Sequence, residues 1–173
     1  MKELFQRTVD TGLQHGTVTV LMDKEGYEVT TYRVDGDYED GRHPKQVMFT
    51  SSLEEDLKRR DFTINAMAYH PERGLVDLFH GMEDMEHKIV RCVGDPMERF
   101  HEDALRILRA VRFSAQLGFT IEEKTKAGIQ ALAPNLKCVS AERIQTELVK
   151  LLVSPHPDYL RVAYETGITR EFL

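Results

Sequence analysis

The sequence predicts an α+β fold in which antiparallel strands come first and helices follow. Two segments, 17–22 and 27–33, alternate polar and apolar residues, are rich in β-branched residues and flank a turn-forming stretch at 23–26. From Pro96 onward, apolar residues recur at helical spacing instead. Strands followed by a run of helices are typical of an α+β fold.

Composition places the chain among globular proteins. Its 173 residues are 41% hydrophobic, which is enough for one ordinary core or two small ones. The net charge of −6 argues against binding of nucleic acid by bulk electrostatics, so any such binding must be local or lie outside this chain. Two cysteines without zinc spacing, no long apolar run and no signal-peptide core predict a cytoplasmic location without membrane contact.

The predicted hairpin carries one carboxylate of interest. Glu28 shares a face of the second strand with Thr30, and it is a candidate catalytic or metal-binding residue, although an exposed charge on an edge strand is the commoner explanation. The following loop, 35–44, contains Asp35 and Asp37 but does not fit a calcium loop, because its sixth position is Asp40 instead of Gly. We interpret it as a turn-rich loop.

Residues 53–69 read as one helix or as two pieces that meet near Asp61. In a helix over 62–69, Asp61 would be the cap, and Asn65 would share its face four residues later. Arg60, Asp61 and Asn65 can then form one cluster that donates to phosphate oxygens and pairs with sugar hydroxyls, although solvent exposure would also explain the arginine. A short strand followed by a turn is predicted at 74–81, and another strand at 88–93.

A helix predicted over 97–117 organises the second half of the chain. With Asp103 at zero on a helical wheel, one face carries only apolar residues: Ala104, Ile107, Leu108, Val111 and Ala115. Opposite them wind Arg106, Arg109 and Arg112, with Asp103 beside Arg106. Three arginines with one acid to offset them favour an anionic or hydrogen-bonding ligand, although a solvated face is the simpler interpretation. Helices at 122–132 and 140–152 and an amphipathic helix within 158–173 complete the prediction.

Four motifs resemble those of the bacterial class II tRNA nucleotidyltransferases, the CCA-adding enzymes, which are relatives of bacterial poly(A) polymerase. In family order they are RRDFTINAMA (59–68), DLFHG (77–81), GDPMERFHEDALR (94–106) and ERIQTEL (142–148). The resemblance implies a partial polymerase-beta-type nucleotidyltransferase head over 1–93, an all-helical, nucleotide-selecting neck over 94–154 and the start of a helical body over 155–173.

The resemblance also implies which residues bind the nucleotide. Arg60, Asp61 and Asn65 would hold its triphosphate and ribose, and the neck pocket would contain Asp103, Arg106, Arg109 and Arg112. Cytosine and adenine each present an exocyclic amine next to a ring nitrogen, so a carboxylate that accepts and a guanidinium that donates suit both. Guanine and uracil reverse that order and would leave buried polar groups unpaired, at roughly 1–3 kcal/mol each. Asp103 and Arg106 are the expected base-reading pair.

The sequence departs from the family in lacking its Gly-Gly-x-Val-Arg-Asp turn and its Asp-x-Asp strand, which holds two magnesium ions. Those ions stabilise charge during nucleotidyl transfer, and Asp35 and Asp37 match the family's later loop instead. We therefore expect a fragment of an enzyme that uses Mg²⁺, CTP, ATP and the tRNA 3′ end, with no metal ligands of its own. It would bind CTP and ATP weakly and transfer no nucleotide unless a complementary N-terminal chain is supplied.

Two alternatives to a CCA-adding enzyme stay open. A poly(A) polymerase fragment is one, although those enzymes usually have Pro after the Asp of the helix motif, where this chain has Ala104. A non-catalytic remnant that binds RNA or nucleotides is the other, and it would bind tRNA tightly without binding free nucleotides.

Overall fold

The N-terminal part of the chain forms a three-stranded antiparallel sheet. The computed structural model describes residues 1–13, 16–36 and 47–172. The sheet has the order β1-β2-β3, formed by β1 (Thr8–Gly12), β2 (Thr17–Met22) and β3 (Glu25–Thr30). The predicted hairpin is confirmed, but its turn is tighter than expected, because Asp23 and Lys24 alone make it with positive φ angles of 50° and 70°.

Two further strand pairs and a short helix complete the first half. The elements are β4 (Arg33–Asp35), which pairs antiparallel with β5 (Val47–Phe49), then α1 (Leu53–Lys58), and β6 (Met67–His70), which pairs antiparallel with β7 (Gly74–Asp77). Most of the loop predicted at 35–44, including Asp37 and Asp40, lies outside the described residues.

The helix predicted over 62–69 is wrong. Thr63–Asn65 form a single 3₁₀ turn, and β6 begins two residues later. The helix-favouring Ala and Met residues of this segment are outweighed by pairing with β7, in which Met67 lies opposite Asp77. Tertiary pairing therefore decides the local structure here.

Two consecutive helices connect a pair of parallel strands in the middle of the chain. The elements are α2 (Gly81–Glu86), β8 (Ile89–Val90), α3 (Pro96–Glu102), α4 (Leu105–Leu117) and β9 (Thr120–Ile121). Strands β8 and β9 pair in parallel, so α3 and α4 form the connection between them. Asp95 caps α3 by accepting a hydrogen bond from the Met97 amide at 3.2 Å, and Gly118, with a φ of 68°, ends α4.

The single helix predicted over 97–117 is interrupted at Asp103, whose backbone is extended (φ −144°, ψ 103°). Its carboxylate accepts a hydrogen bond from the Leu105 amide at 3.1 Å, so Asp103 ends α3 and satisfies the start of α4. The helical wheel is therefore wrong for Asp103, which lies at a junction and not on the helix of Arg106. The apolar face is confirmed, because all five of its predicted members, from Ala104 to Ala115, are buried.

The remaining elements are helical, in agreement with the predicted pattern. They are α5 (Glu123–Leu132), a 3₁₀ segment (Ala133–Cys138), α6 (Ala141–Leu152) and α7 (Leu160–Glu165), which lies between 3₁₀ turns at Pro157–Tyr159 and Ile168–Glu171. The prediction of one helix within 158–173 is thus only partly correct, since Gly167, with a φ of 82°, separates its last two pieces.

Helix α4 lies at the centre of the larger hydrophobic core. Ile107, Leu108 and Val111 are almost fully buried and belong to the same core as Phe62 and Val90 from the strand part. Burial of side chains of this size stabilises the fold by about 1.5–3 kcal/mol each. The core therefore holds the segment around residue 62 against α4, which positions the site described next. None of the helices in the described ranges is long and apolar enough to cross a membrane.

Candidate functional site

A cavity of about 630 Å³ lies between the α1–β6 segment and the junction of α3 with α4. Six of the seven predicted nucleotide-binding residues line it: Arg60, Asp61, Asn65, Asp103, Arg106 and Arg109. Five arginines and three aspartates are among the lining residues, so the wall carries two more positive than negative charges. Such a wall favours a ligand with negative charge.

The first wall is built by the turn that follows α1. The carboxylate of Asp61 accepts hydrogen bonds from the Phe62 amide at 2.9 Å and from Asn65 Nδ2 at 3.2 Å. The Arg60 guanidinium donates to the Asn65 carbonyl at 3.3 Å. The predicted cluster of Arg60, Asp61 and Asn65 is therefore present, but the 3₁₀ turn assembles it and not an α-helix.

The Asp56 carboxylate holds two arginines of this wall in place. It is buried, and it accepts hydrogen bonds from Arg59 Nη2 at 2.8 Å, from Arg60 Nη2 at 3.3 Å and from the Arg33 amide at 3.2 Å. Burial alone would raise the pKa of the Asp56 carboxyl, but the hydrogen bonds from Arg59 and the Arg33 amide and the charge of Arg59 outweigh it, so the pKa is lowered. Asp56 thus stays ionised and orients two arginines of the cavity.

The second wall is the junction of α3 with α4. Asp103 presents one carboxylate oxygen to the Leu105 amide and the other to Arg143 Nη2, at 2.8 Å. Arg106 donates instead to Glu102 at 2.6 Å, and to the backbone carbonyl of Arg59 at 3.0 Å. Asp103 therefore pairs with Arg143 and Arg106 pairs with Glu102, because the break in the helix turns Asp103 toward α6.

Arg109 joins the two walls. Its Nη2 lies 2.6 Å and its Nε 2.8 Å from the same carboxylate oxygen of Asp61. The expectation that one acid offsets the three arginines of α4 is wrong, because each has its own partner: Glu102 for Arg106, Asp61 for Arg109 and Glu147 for Arg112. Two of these acids lie far away in sequence, where helical spacing gives no signal.

Arg112 is not among the residues that line the cavity. It is buried, donates from Nε to Glu147 on α6 at 2.8 Å and places its guanidinium 3.6 Å from the centre of the Phe113 ring. Phe113 in turn packs edge-on against Phe62, with ring centres 5.8 Å apart. These contacts join α4 to α6 and to the strand part of the fold.

Glu28 lies on the exposed strand β3, opposite Thr19, and does not line the cavity, although Thr30 and Tyr32 farther along the same segment do. Within the described ranges no group of three or more His, Cys, Asp or Glu side chains could hold a metal ion. The three aspartates that line the cavity are engaged by arginines instead, so they do not fit a metal centre.

Sequence reasoning missed three charged residues of the cavity, Asp56, Arg59 and Arg143. Asp56 gave no signal beyond its place in the acidic first turn of α1. Arg143 did give a signal in the sequence, because it occupies the third position of α6, where a capping box would have Glu. In the structure, the Ser140 side chain makes no capping hydrogen bond. A residue that breaks a local rule in this way often serves a site.

Comparison with known families agrees with this arrangement. Residues 1–91 match the family described as "Poly A polymerase head domain". Residues 118–173 match a second family, described as "Probable RNA and SrmB- binding site of polymerase A". The two matches lie on either side of α3 and α4.

Similar proteins are CCA-adding enzymes. One from Pediococcus pentosaceus is 54% identical over 158 residues, which are 91% of this chain and 40% of that protein. The crystal structure of the Bacillus stearothermophilus CCA-adding enzyme in complex with CTP superposes with a TM-score of 0.87 at 44% identity, over 96% of this chain and 40% of that one. The Thermotoga maritima CCA-adding enzyme complexed with tRNA superposes with a TM-score of 0.77 at 26% identity, over 98% of this chain and 39% of that one. The chain thus spans about 40% of the length of these relatives.

Proposed function

Because this chain belongs to the family of class II tRNA nucleotidyltransferases and poly(A) polymerases, we propose that its cavity binds CTP and ATP. The chain would be the nucleotide-selecting part of an enzyme that adds C and A to the 3′ end of tRNA. The observation that supports this most is the meeting of two sequence segments, 60–65 and 103–109, in one cavity with a net positive wall. A nucleoside triphosphate supplies the negative charge that such a wall favours.

The base would be read at the junction of α3 with α4. A carboxylate has about four acceptor positions, and the Leu105 amide and Arg143 account for two of those on Asp103. The exocyclic amine of cytosine or adenine would donate to Asp103, and the adjacent ring nitrogen would accept from Arg106. Because Glu102 and the Arg59 carbonyl already hold the Arg106 guanidinium, little ordering cost remains for the base to meet.

The triphosphate and ribose would occupy the first wall. The Arg60 side chain is 42% exposed, which leaves its guanidinium within reach of phosphate oxygens. Asp61 and Asn65 carry the acceptor and donor groups that pair with ribose hydroxyls. Arg109 would add a second positive charge beside them.

Nucleotide transfer in this family would use Mg²⁺, and we propose that its ligands lie outside the described residues. This follows from the fit of the donor set, because the aspartates of the cavity are oriented toward arginines. We derive no catalytic step from these residues, which bind and select. A tRNA 3′ end would be the acceptor, by analogy with the tRNA complex of the Thermotoga maritima enzyme. A complementary N-terminal chain and a cytoplasmic location stay predictions.

The proposal is tested by equilibrium titration of the chain with CTP, ATP, GTP and UTP at one ionic strength. CTP and ATP should bind more tightly than UTP and GTP by about 5- to 150-fold, which corresponds to 1–3 kcal/mol for a wrongly paired buried group. Equal Kd values for all four would refute the proposal.

Two arginine variants, one inside the cavity and one outside it, separate binding in the cavity from a general effect of charge. Arg60→Met should weaken all four nucleotides by a similar factor, because Arg60 would contact the phosphates that they share. Arg161→Met removes a positive charge from an exposed residue of α7, away from the cavity, and should change none of the Kd values. If both variants weaken binding alike, the cavity is not the binding site.

A further inference from the structure

Arg143 is the one charged residue of the cavity wall that α6 contributes among the described residues. Its Nη2 donates to Asp103 Oδ2 at 2.8 Å, and the two side chains are 23% and 19% exposed. Asp103 Oδ1 accepts from the Leu105 amide at 3.1 Å. The carboxylate is thus held at both oxygens, by the backbone of α4 on one side and by a side chain of α6 on the other.

The positive charge of Arg143 is unfavourable at the start of its own helix. It lies in the first turn of α6, where the backbone amides carry the positive end of the helix dipole and acidic side chains are favoured. A positive charge there weakens the helix start, and the neighbouring Ser140 side chain supplies no capping hydrogen bond. The contact with Asp103 accounts for an arginine at this position.

Asp103 depends on such a contact more than a residue within a helix would. Its backbone is extended at the break between α3 and α4, so the packing of a helical turn does not restrict its side chain. Rotation about its first side-chain bond would move the acceptor oxygens away from the cavity. A fixed acceptor distinguishes an amine from a carbonyl, whereas a mobile one adapts to either.

We infer that Arg143 is a positioning residue, which holds the Asp103 carboxylate in the orientation that accepts a hydrogen bond from the exocyclic amine of cytosine or adenine. This inference rests on the proposed function for its consequence, namely base selection, but its geometric content concerns Asp103 alone. Arg143 would act through Asp103 and not through contact with the nucleotide. Its loss should therefore affect the correct bases more than the wrong ones.

Arg143→Met tests the inference, because methionine keeps much of the length of the side chain and removes the donors. The Kd for CTP should rise by about 5- to 10-fold, the loss expected for one ordinary hydrogen bond, while the Kd for UTP changes less than twofold. Arg143→Lys should restore part of the difference, since lysine donates without the planar fork of arginine. An equal loss for CTP and UTP would overturn the inference, because it would show a general attraction of the phosphates.

Lys150→Met is the matched control. Lys150 is exposed in the last turn of the same helix, outside the cavity, so this variant removes the same charge from α6 without touching Asp103. It should leave both Kd values unchanged. Amide spectra of all variants, recorded before titration, should show the dispersion of the folded chain.

A second measurement separates the inference from the proposed function. Three-bond NMR couplings report whether the Asp103 side chain occupies one rotamer or several, without any nucleotide present. In Arg143→Met these couplings should become averaged, and in Lys150→Met they should not. A single fixed rotamer in Arg143→Met would overturn the inference even if nucleotides bind as proposed. A wild-type chain that does not discriminate among bases would refute the proposed function and leave the rotamer result to decide about Arg143.

Discussion

Replacing Glu147 by Gln tests the structural role that the fold gives to Arg112. Both side chains are buried, with exposed fractions of 7% for Arg112 and 5% for Glu147, and they lie 2.8 Å apart. Glutamine keeps the size of the side chain and an acceptor oxygen, but it removes the charge that compensates the buried guanidinium. Breaking a buried ion pair in this way costs about 3–5 kcal/mol.

The expected loss is at the lower end of that range. The glutamine oxygen can still accept from Arg112, and the Phe113 ring and the Gln116 side chain, at 2.8 Å, continue to stabilise the guanidinium. A loss of about 3 kcal/mol corresponds to a fall of roughly 6–12 °C in Tm for a chain of this size.

Thermal and urea unfolding measure this loss, and Glu142→Gln is the matched control. Glu142 is exposed in the first turn of the same helix, so the same chemical change should cost only a few tenths of a kcal/mol there, about the size of its interaction with the helix dipole. The double variant Arg112→Met/Glu147→Leu should recover most of the stability that Glu147→Gln loses, because apolar residues can replace a buried pair. A loss below about 1 kcal/mol for Glu147→Gln would refute the structural role of the pair.

Three further outcomes are expected. Asp103→Asn should reduce the preference for CTP over UTP without abolishing it, because an amide can present either its oxygen or its nitrogen to the base while Arg106 still favours the ring nitrogen acceptor of cytosine, and an undiminished preference for CTP would contradict base reading by Asp103. Iodoacetamide followed by mass spectrometry should modify the exposed Cys138 and spare Cys92, because burial raises the pKa of the Cys92 thiol to about 12 and keeps it protonated. Asp56→Asn should lower Tm at pH 7, and the difference from wild type should shrink as the pH falls below 3.8, since a lowered folded-state pKa stabilises only while the carboxyl is ionised; a difference that does not depend on pH would exclude the charge as its origin.

Local patterns were sufficient where an element makes its own contacts. The β2–β3 hairpin and helices α5 and α6 agree with the sequence, because alternation and helical spacing are encoded within the element. The apolar face of α4 is confirmed for the same reason.

Tertiary contacts decided the elements that the sequence mispredicted. The segment from Met67 becomes β6 because β7 is available as a partner, and no helical period can show this. The break at Asp103 has no Gly or Pro to mark it, and it depends on a side chain that caps the next helix.

The residues that line the cavity were predicted better than the contacts among them. The family resemblance named seven residues, six of which line one cavity, whereas the ion pairs among them could not be read from spacing. Arg109 pairs with Asp61, which is 48 residues away in the sequence, and Asp103 pairs with Arg143, which is 40 residues away. Such pairs form only when the fold brings distant parts of the sequence together, so the sequence indicated the charged residues without indicating their partners.

A crystal structure of the chain with CTP tests base reading by Asp103 and Arg106 most directly. We expect the exocyclic amine of cytosine within about 3.2 Å of an Asp103 carboxylate oxygen, and its ring nitrogen N3 within the same distance of an Arg106 nitrogen. A cytosine ordered elsewhere, or one in the cavity that contacts neither side chain, would contradict it.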